Sequence, residues 1–250
     1  MMSPSALKEF YFASGYAIAE RAFTKDDMSP VVRRLNEILA DPSRATPGVI
    51  VGRESETRMD NTKPPPSDDP IRKLTFTVRY DPIFQALARM PNLLELVHAL
   101  LGPRVRVFRD QMLLKPPGGQ DKPTHQDQSY FRMRSPDSLV TAWIALDDAT
   151  LENGCMKYVP TSHRHGLLEM QPDPLRPVHH IPKTAHLKLP EEVSCPVPAG
   201  AVIFHHPLTL HRSGINHTKT WRRALIMHYA ASDARSENEQ LNKEVSMEID

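Results

Sequence analysis

The stretch Pro198-Ala199-Gly200-Ala201-Val202-Ile203-Phe204-His205-His206-Pro207-Leu208-Thr209-Leu210-His211-Arg212-Ser213-Gly214 reads as a turn, a strand over 201–205, a tight bend and a strand over 209–215. It runs on through Thr220-Trp221-Arg222-Arg223-Ala224-Leu225-Ile226-Met227-His228-Tyr229, which predicts a further strand over 223–230. Upstream, alternation and short apolar runs predict strands at 105–108, 111–115, 139–146 and 155–159, with Asn153-Gly154 as a turn signal. Short strands at this spacing belong to a β-sandwich or barrel. The 24 prolines among 250 residues agree, because proline stops helices and central strands and so multiplies loops.

Before residue 103 the period is helical. A helix is expected over 4–13, with Ser3 as cap and Pro4 in the first turn, then a strand over 15–19. A second helix is expected over 26–39, where Thr24 and Asp27 resemble a capping box, and a third over 91–101, opened by Pro91 and closed by Gly102. Residues 41–70, ending in Lys63-Pro64-Pro65-Pro66-Ser67-Asp68-Asp69-Pro70, read as a loop or lid, and 116–123 as a second, mobile loop. Residues 231–250 are polar and are expected to fray or to form a short peripheral helix. The chain is read as one domain, with helical support over 1–102, a β core over 103–230 and a polar tail.

Composition excludes several function classes. The 31 basic and 30 acidic residues nearly cancel, so no sequence-wide positive field points to nucleic acid. No apolar run approaches a membrane span, and no signal peptide is read at the start. Two cysteines, Cys155 and Cys195, are too few for a disulfide scaffold and suit a reducing, cytoplasmic setting.

The chemistry starts at Thr124-His125-Gln126-Asp127-Gln128. His125 and Asp127, two apart, share a face of an extended segment. With the distant His211 they make the two-histidine-one-carboxylate set that leaves coordination positions open and suits non-haem Fe(II). His-x-Asp alone is weak in a chain with 12 histidines, where a surface pair is the commoner reading of it. The downstream strands add a second element. With a turn at 217–220, Ile215 would face Arg222 in a hairpin. His211 and Ser213 would then share a face with Arg222, Ala224, Ile226 and His228, while Arg223 points away; a one-residue slip would invert this.

The chain resembles the phytanoyl-CoA dioxygenase family of Fe(II)/2-oxoglutarate oxygenases in four stretches. These are His125-x-Asp127; Trp143-Ile144-Ala145-Leu146-Asp147-Asp148-Ala149-Thr150-Leu151-Glu152-Asn153-Gly154-Cys155; Tyr158-Val159-Pro160-Thr161-Ser162-His163; and His211-x-Ser213-x-x-Asn216 with Arg222. Thr161 departs from the family, which usually has glycine there. The resemblance implies a double-stranded β-helix, a cupin-like jelly roll flanked by N-terminal helices. It implies His125, Asp127 and His211 as iron ligands and Arg222 as the anchor of the far carboxylate of 2-oxoglutarate, a role that suits arginine's fixed charge and bidentate fork. Ser213 could add a hydroxyl, and Gln111 or Lys115 could hold 2-oxoglutarate or an anionic substrate. Tyr130, Phe131, Arg132 and Arg134 flank the metal motif and are candidates for contact with a small-molecule substrate, although a solvated face is the commoner reading of the two arginines.

The expected reaction couples O2 and decarboxylation of 2-oxoglutarate to succinate and CO2 with hydroxylation of an unactivated C–H bond. Halogenases of the family replace the carboxylate ligand by a small residue, whereas Asp127 fills that place here. Two rivals remain open at this level: a zinc hydrolase on the same three ligands, and a jelly-roll protein that binds metal or 2-oxoglutarate without turnover. The substrate and the choice between monomer and homodimer carry no sequence signal.

Overall fold

The computed structural model describes residues 3–54, 69–174 and 180–249. In chain order the elements are α1 (Pro4–Ser14), β1 (Tyr16–Ala19), α2 (Lys25–Ala40), β2 (Ile50–Arg53), β3 (Ile71–Thr75), α3 (Thr77–Tyr80), α4 (Pro82–Ala88) and α5 (Pro91–Leu101). They continue with β4 (Val105–Lys115), β5 (Lys122–His125), α6 (Gln128–Phe131), β6 (Leu139–Ala145), β7 (Met156–Tyr158), β8 (Met170–Pro172), β9 (His180–Pro182) and β10 (Val193–Cys195). The last are β11 (Val202–His205), β12 (His211–Ser213), β13 (Arg222–Ala231), α7 (Glu239–Lys243) and β14 (Met247–Glu248).

The predicted helix boundaries follow from caps. The Ser3 hydroxyl accepts the Ala6 N–H at 3.3 Å, and Gly15, at φ 85°, closes α1 in the left-handed conformation. Thr24 and Asp27 form a reciprocal capping box on α2.

Strands β1-β11-β6-β13-β4-β3-β2 form a large antiparallel sheet, and β10-β7-β12-β5 a smaller one facing it; β8 and β9 pair separately. This is the two-sheet jelly roll. Alternation divides the large sheet between two cores. Val140, Ala142, Ile144, Leu225, Met227 and Tyr229 pack outward under the helices, against residues such as Leu7, Leu35, Phe84 and Val97. Trp143, Ala145, Ile203, Ala224 and Ile226 face inward and meet Met156, Tyr158 and Cys195 of the small sheet.

Several expectations are corrected. The two short strands over 105–115 are one eleven-residue strand, β4, kinked by a register shift opposite His228/Tyr229. That length lets its second edge take β3 at Gln111–Leu113 and β14 at Arg106–Val107. The N-terminal region contributes strands as well as helices, because β2 and β3 extend the large sheet; within the stretch expected to be a loop over 41–70, Ile50–Arg53 is strand, while 55–68 lie outside the described residues. The tail is built in: β14 pairs with β4, Ser236 and Ser246 are buried, and α7 lies between them. Most consequential, β12 and β13 are not a hairpin. β12 pairs with β5 and β7, β13 with β4 and β6, so Ile215 does not face Arg222 and the chain crosses between sheets through 214–221.

Candidate functional site

β5 delivers His125 to the inner face of the small sheet, directly across from His211 on β12. The two rings lie 4.1 Å apart. Extended backbone stops at His125; Asp127 adopts helical angles (φ −60°, ψ −30°) where α6 begins. The carboxylate therefore reaches the histidines through a turn rather than along a strand face. Gln126 between them points away. Its amide donates to the Gly166 and Leu208 carbonyls and accepts from Leu168 N–H, which pins the turn from behind.

His125, Asp127 and His211 are buried, and one ligand atom from each lies within 4.8 Å of the others. Both imidazoles bond Nδ1 to the carbonyl two residues earlier, Pro123 and Thr209, each at 2.9 Å. A carbonyl only accepts, so Nδ1 carries the proton and each Nε2 is left bare toward the other two groups. Asp127 Oδ1 lies 3.8 Å from His125 Nε2 and 3.7 Å from His211 Nε2. Its Oδ2 is turned away and accepts from Thr141 Oγ1 at 2.7 Å and His205 Nε2 at 3.0 Å.

The charge states suit a divalent ion, which needs neutral imidazole and ionised carboxylate. Burial pushes His211 down to about 4 and His125 well below its usual range, with His205 and His211 respectively adding to the effect. Burial opposes the Asp127 charge, but His211, His205 and His228 more than offset it and hold the carboxyl well below the ordinary range.

Farther along the roll lies a second polar set. Arg222 on β13 pairs in register with Lys115 on β4. Both are buried; Lys115 Nζ donates to Ser213 Oγ at 3.0 Å and to the Gly214 carbonyl. The Arg222 guanidinium carbon lies 5.3 Å from the Trp143 ring centroid, while its Nε and Nη1 have no hydrogen-bond partner. Burial, with Arg72 next, pushes Arg222 down to about 9; burial, with Arg222 next, pushes Lys115 down to about 6. A buried guanidinium with orphaned donors, beside a buried lysine amine that an anion would favour in its protonated form, makes a cradle for an anion. Arg223 points out and grips Asp147 with Nε at 2.7 Å and Nη2 at 2.6 Å. The sequence parity thus survives, although the hairpin it was drawn from does not.

A cavity of about 220 Å³ adjoins Asp127's neighbour His228, and Thr75, Phe76, Gln111 and Phe131 line it. Gln111 and Lys115 lie on one face of β4 but four residues apart, roughly 13 Å along an extended strand. They belong to different ends of the site. Tyr130 is exposed and bonds Lys122; Arg132 and Arg134 are exposed, with Arg134 beside Glu239. Of the four flanking candidates, Phe131 alone lines the cavity.

A sequence profile described as "Phytanoyl-CoA dioxygenase (PhyH)" matches residues 11–224. The chain belongs to the phytanoyl-CoA dioxygenase family. Membership makes it an Fe(II)/2-oxoglutarate-dependent oxygenase that uses O2, and the zinc-hydrolase and non-catalytic alternatives fall with it. Among curated relatives, the mouse protein "Phytanoyl-CoA dioxygenase, peroxisomal" is 25% identical over 237 residues, covering 91% of this chain and 68% of that protein. The "Probable alpha-ketoglutarate-dependent hypophosphite dioxygenase" of Stutzerimonas stutzeri is 28% identical over 229 residues, covering 90% of this chain and 77% of that one. Among solved structures, the epimerase SnoN in complex with Fe3+, alpha ketoglutarate and nogalamycin RO superposes with a TM-score of 0.72 at 22% identity, covering 95% of this chain and 88% of that chain. The oxygenase fold is therefore shared with a protein described as an epimerase. No helix among the described residues is long and apolar enough to cross a membrane.

The sequence reading gave no site role to Thr141, His205 or Trp143. His205 on β11 and His228 on β13 are the two cross-strand partners of Thr141 on β6. That row exists only once the strand register is known. His206 and His163 are structural, bonding Asp137 and the Phe12 carbonyl. His180 and His186 are exposed, and His179 lies outside the described residues.

Proposed function

We propose that this chain hydroxylates an unactivated C–H bond of a small molecule bound in the cavity beside His228. His125, Asp127 and His211 hold Fe(II), and Arg222 with Ser213 and Lys115 holds the far carboxylate of 2-oxoglutarate. The observation that carries this assignment is the buried Arg222 guanidinium, whose Nε and Nη1 lack partners. A structural arginine would have found acceptors; one reserved for a carboxylate ligand has not.

When bound, iron and 2-oxoglutarate supply the activation of dioxygen, with release of succinate and CO2. The chain supplies placement. The Pro123 and Thr209 carbonyls fix both imidazoles with Nε2 forward. Thr141 and His205 hold Asp127 Oδ2 back, so that Oδ1 alone faces the histidines. Ser213 and Lys115 complete the cradle around Arg222. Phe76 and Phe131 give the cavity apolar walls, while His228 Nε2, buried and without a partner, offers a polar contact. A volume of about 220 Å³ lies below the roughly 300–1,000 Å³ of drug-sized pockets, and so favours a compact substrate or the compact end of a longer one. An ionised carboxylate at position 127 favours hydroxylation over halogenation. The two buried free thiols, Cys155 and Cys195, suit the reducing cytoplasm.

An anaerobic titration of the metal-free protein with Fe(II) and then 2-oxoglutarate tests this reading. The visible metal-to-ligand charge-transfer band should appear in the wild type, vanish in Asp127→Ala, and require far more 2-oxoglutarate in Arg222→Ala. A band unaffected by Arg222→Ala would refute the anchor, and retention of the band in Asp127→Ala would refute the ligand set. Product mass, one oxygen heavier than the substrate, separates hydroxylation from epimerisation or ring closure.

A further inference from the structure

Among the described residues, one charge at the cavity beside His228 has no partner. Lys73 on β3 lines that cavity together with Thr75 and Gln111. Strand pairing sets Lys73 opposite Leu113 and Thr75 opposite Gln111, and Leu113 in turn lies opposite Ala224 of the inner core. Alternation therefore sends Lys73 and Thr75 into the roll, while Leu74 between them packs outward under the helices. Lys73 is half-buried, and its ammonium meets neither a hydrogen-bond acceptor nor a carboxylate among the described residues.

The other charges at the cavity are already engaged. Arg109 gives Nη2 to the Glu244 carboxylate at 2.8 Å and Nη1 to the Glu244 carbonyl, and it lies 5.5 Å from the Phe76 ring centroid. Asp110 pairs with Met227 of the outer core, and its Oδ2 accepts from the Thr77 hydroxyl and the Val78 N–H. A second ammonium stands on the opposite sheet. Lys122 opens β5, paired with Ser213 of β12, and is exposed. Its Nζ donates to the Tyr130 hydroxyl at 3.2 Å and lies 5.3 Å from the Tyr130 ring centroid. Tyr130 meets His125 edge-to-face at 5.8 Å, which puts Lys122 beside the metal ligands. Burial, with Lys122 next, pushes the Lys73 ammonium below its ordinary range. Like charges this close repel, and the empty cavity is short of an anion.

From this arrangement, and resting on the oxygenase reading above, we propose that the substrate is a compact organic acid whose carboxylate is received between Lys73 and Lys122. The carboxylate offsets the repulsion between the two ammonium groups, and the apolar body lies against Phe76 and Phe131. Lys73 carries the larger share, because a half-buried charge is screened less than the exposed Lys122. The anchored end also fixes which carbon faces the metal ligands, so the pair selects position as well as charge. It is distinct from the 2-oxoglutarate cradle, since Lys115 and Arg222 do not line this cavity.

The test uses the full chain loaded with Fe(II) and saturating 2-oxoglutarate under anaerobic conditions, so that the Arg222 cradle is filled. Butanoate, hexanoate and octanoate are titrated calorimetrically against the corresponding neutral carboxamides. At least one acid should bind about ten-fold or more tightly than its amide, an advantage that shrinks as salt is raised. Lys73→Met should remove most of that advantage and leave amide binding unchanged, whereas Lys122→Met should reduce it about two- to three-fold. Lys73→Glu should reverse the preference and bind hexylamine better than hexanoate, which a merely structural lysine would not produce. Amides bound as tightly as the acids, no acid bound at all, or an advantage kept intact in Lys73→Met overturns the proposal. If the Lys73 variants form no charge-transfer band, the salt series on the wild type and Lys122→Met decide, and an acid advantage that neither one lowers overturns it. A wild type without the charge-transfer band fails the oxygenase reading; a wild type with the band but no preference for acids fails this inference alone.

Discussion

At the scale of single residues, the site is set by which donors are left over. Arg222 has a full positive charge to bury and spends it on the Trp143 ring and on nothing else through Nε and Nη1. Keeping a buried charge without a counter-ion costs stability in the empty protein and is recovered when a carboxylate arrives. Arg222→Met removes both effects. The metal-free, co-substrate-free protein should unfold at the same or a higher temperature than wild type. The 2-oxoglutarate concentration needed for the charge-transfer band should rise about 10–100-fold, from the ~1.5–3 kcal/mol of a charge-assisted hydrogen bond. Thermal melting with and without 2-oxoglutarate checks both halves, and a destabilised empty variant would show that Arg222 is structural. Arg222 could be told from Arg223 in the sequence because alternation places them on opposite faces. His205, Thr141 and His228 could not be assigned, because a polar residue in a buried strand has no local signature. Their row forms only when β11, β6 and β13 come into register across more than sixty residues of chain.

At the scale of elements, two turns bear on stability and on the site. Thr161 stands where the family usually has glycine, and its φ of 61° explains the preference. A β-branched side chain in the left-handed region is strained. Thr161→Gly should therefore stabilise the protein, by roughly 1 kcal/mol after the flexibility glycine adds to the unfolded chain. Denaturant midpoints measure this, and a lower midpoint would refute it. The other turn is the crossover after β12. Asn216 is fully buried; its amide donates to the Lys115, Pro116 and Thr220 carbonyls, and its backbone exchanges hydrogen bonds with Gly118 and Gly119. Of the stretch 116–123, expected to be a mobile loop, 122–123 belong to β5 and the loop over 116–121 is clamped by this one side chain. Asn216→Ala leaves three carbonyls without that donor and should cost about 3 kcal/mol or more. It should also weaken 2-oxoglutarate binding, since Lys115 and Arg222 lie at the strand ends the clamp holds. Equal loss of stability with unchanged 2-oxoglutarate affinity would show that the clamp and the cradle are independent. The strands and caps here were legible because they are local. The sheet to which each strand belongs was not, since β12-to-β13 reads as a hairpin until Asn216 is seen tying the intervening chain to β4.

At the scale of the whole molecule, the jelly roll gathers ionisable groups into an interior that disfavours their charges, and folding is therefore linked to pH. His211 and His228 are each pushed to about 4 by burial. Their unfolded counterparts titrate near ~6.5, so between those values the unfolded chain binds more protons and stability rises with pH. Lys115 extends the trend, because burial pushes it to about 6, against ~10.4 when unfolded. Over that window the unfolded chain again binds more protons, and the empty protein should gain up to about 1.4 kcal/mol per pH unit from this lysine alone. The co-substrate reverses the sign. A carboxylate beside Lys115 and Arg222 favours the protonated amine, so binding near neutral pH should take up a proton, and affinity should weaken as pH rises above about 6. Isothermal titration of 2-oxoglutarate into the Fe(II)-loaded protein under anaerobic conditions, in buffers of different ionisation enthalpy, reads the uptake directly. An uptake approaching one proton at pH 7.5, lost in Lys115→Met, is the expected result. No uptake in the wild type would mean that Lys115 either stays charged in the empty site or lies outside the carboxylate's reach, and the cradle would then consist of Arg222 and Ser213 alone.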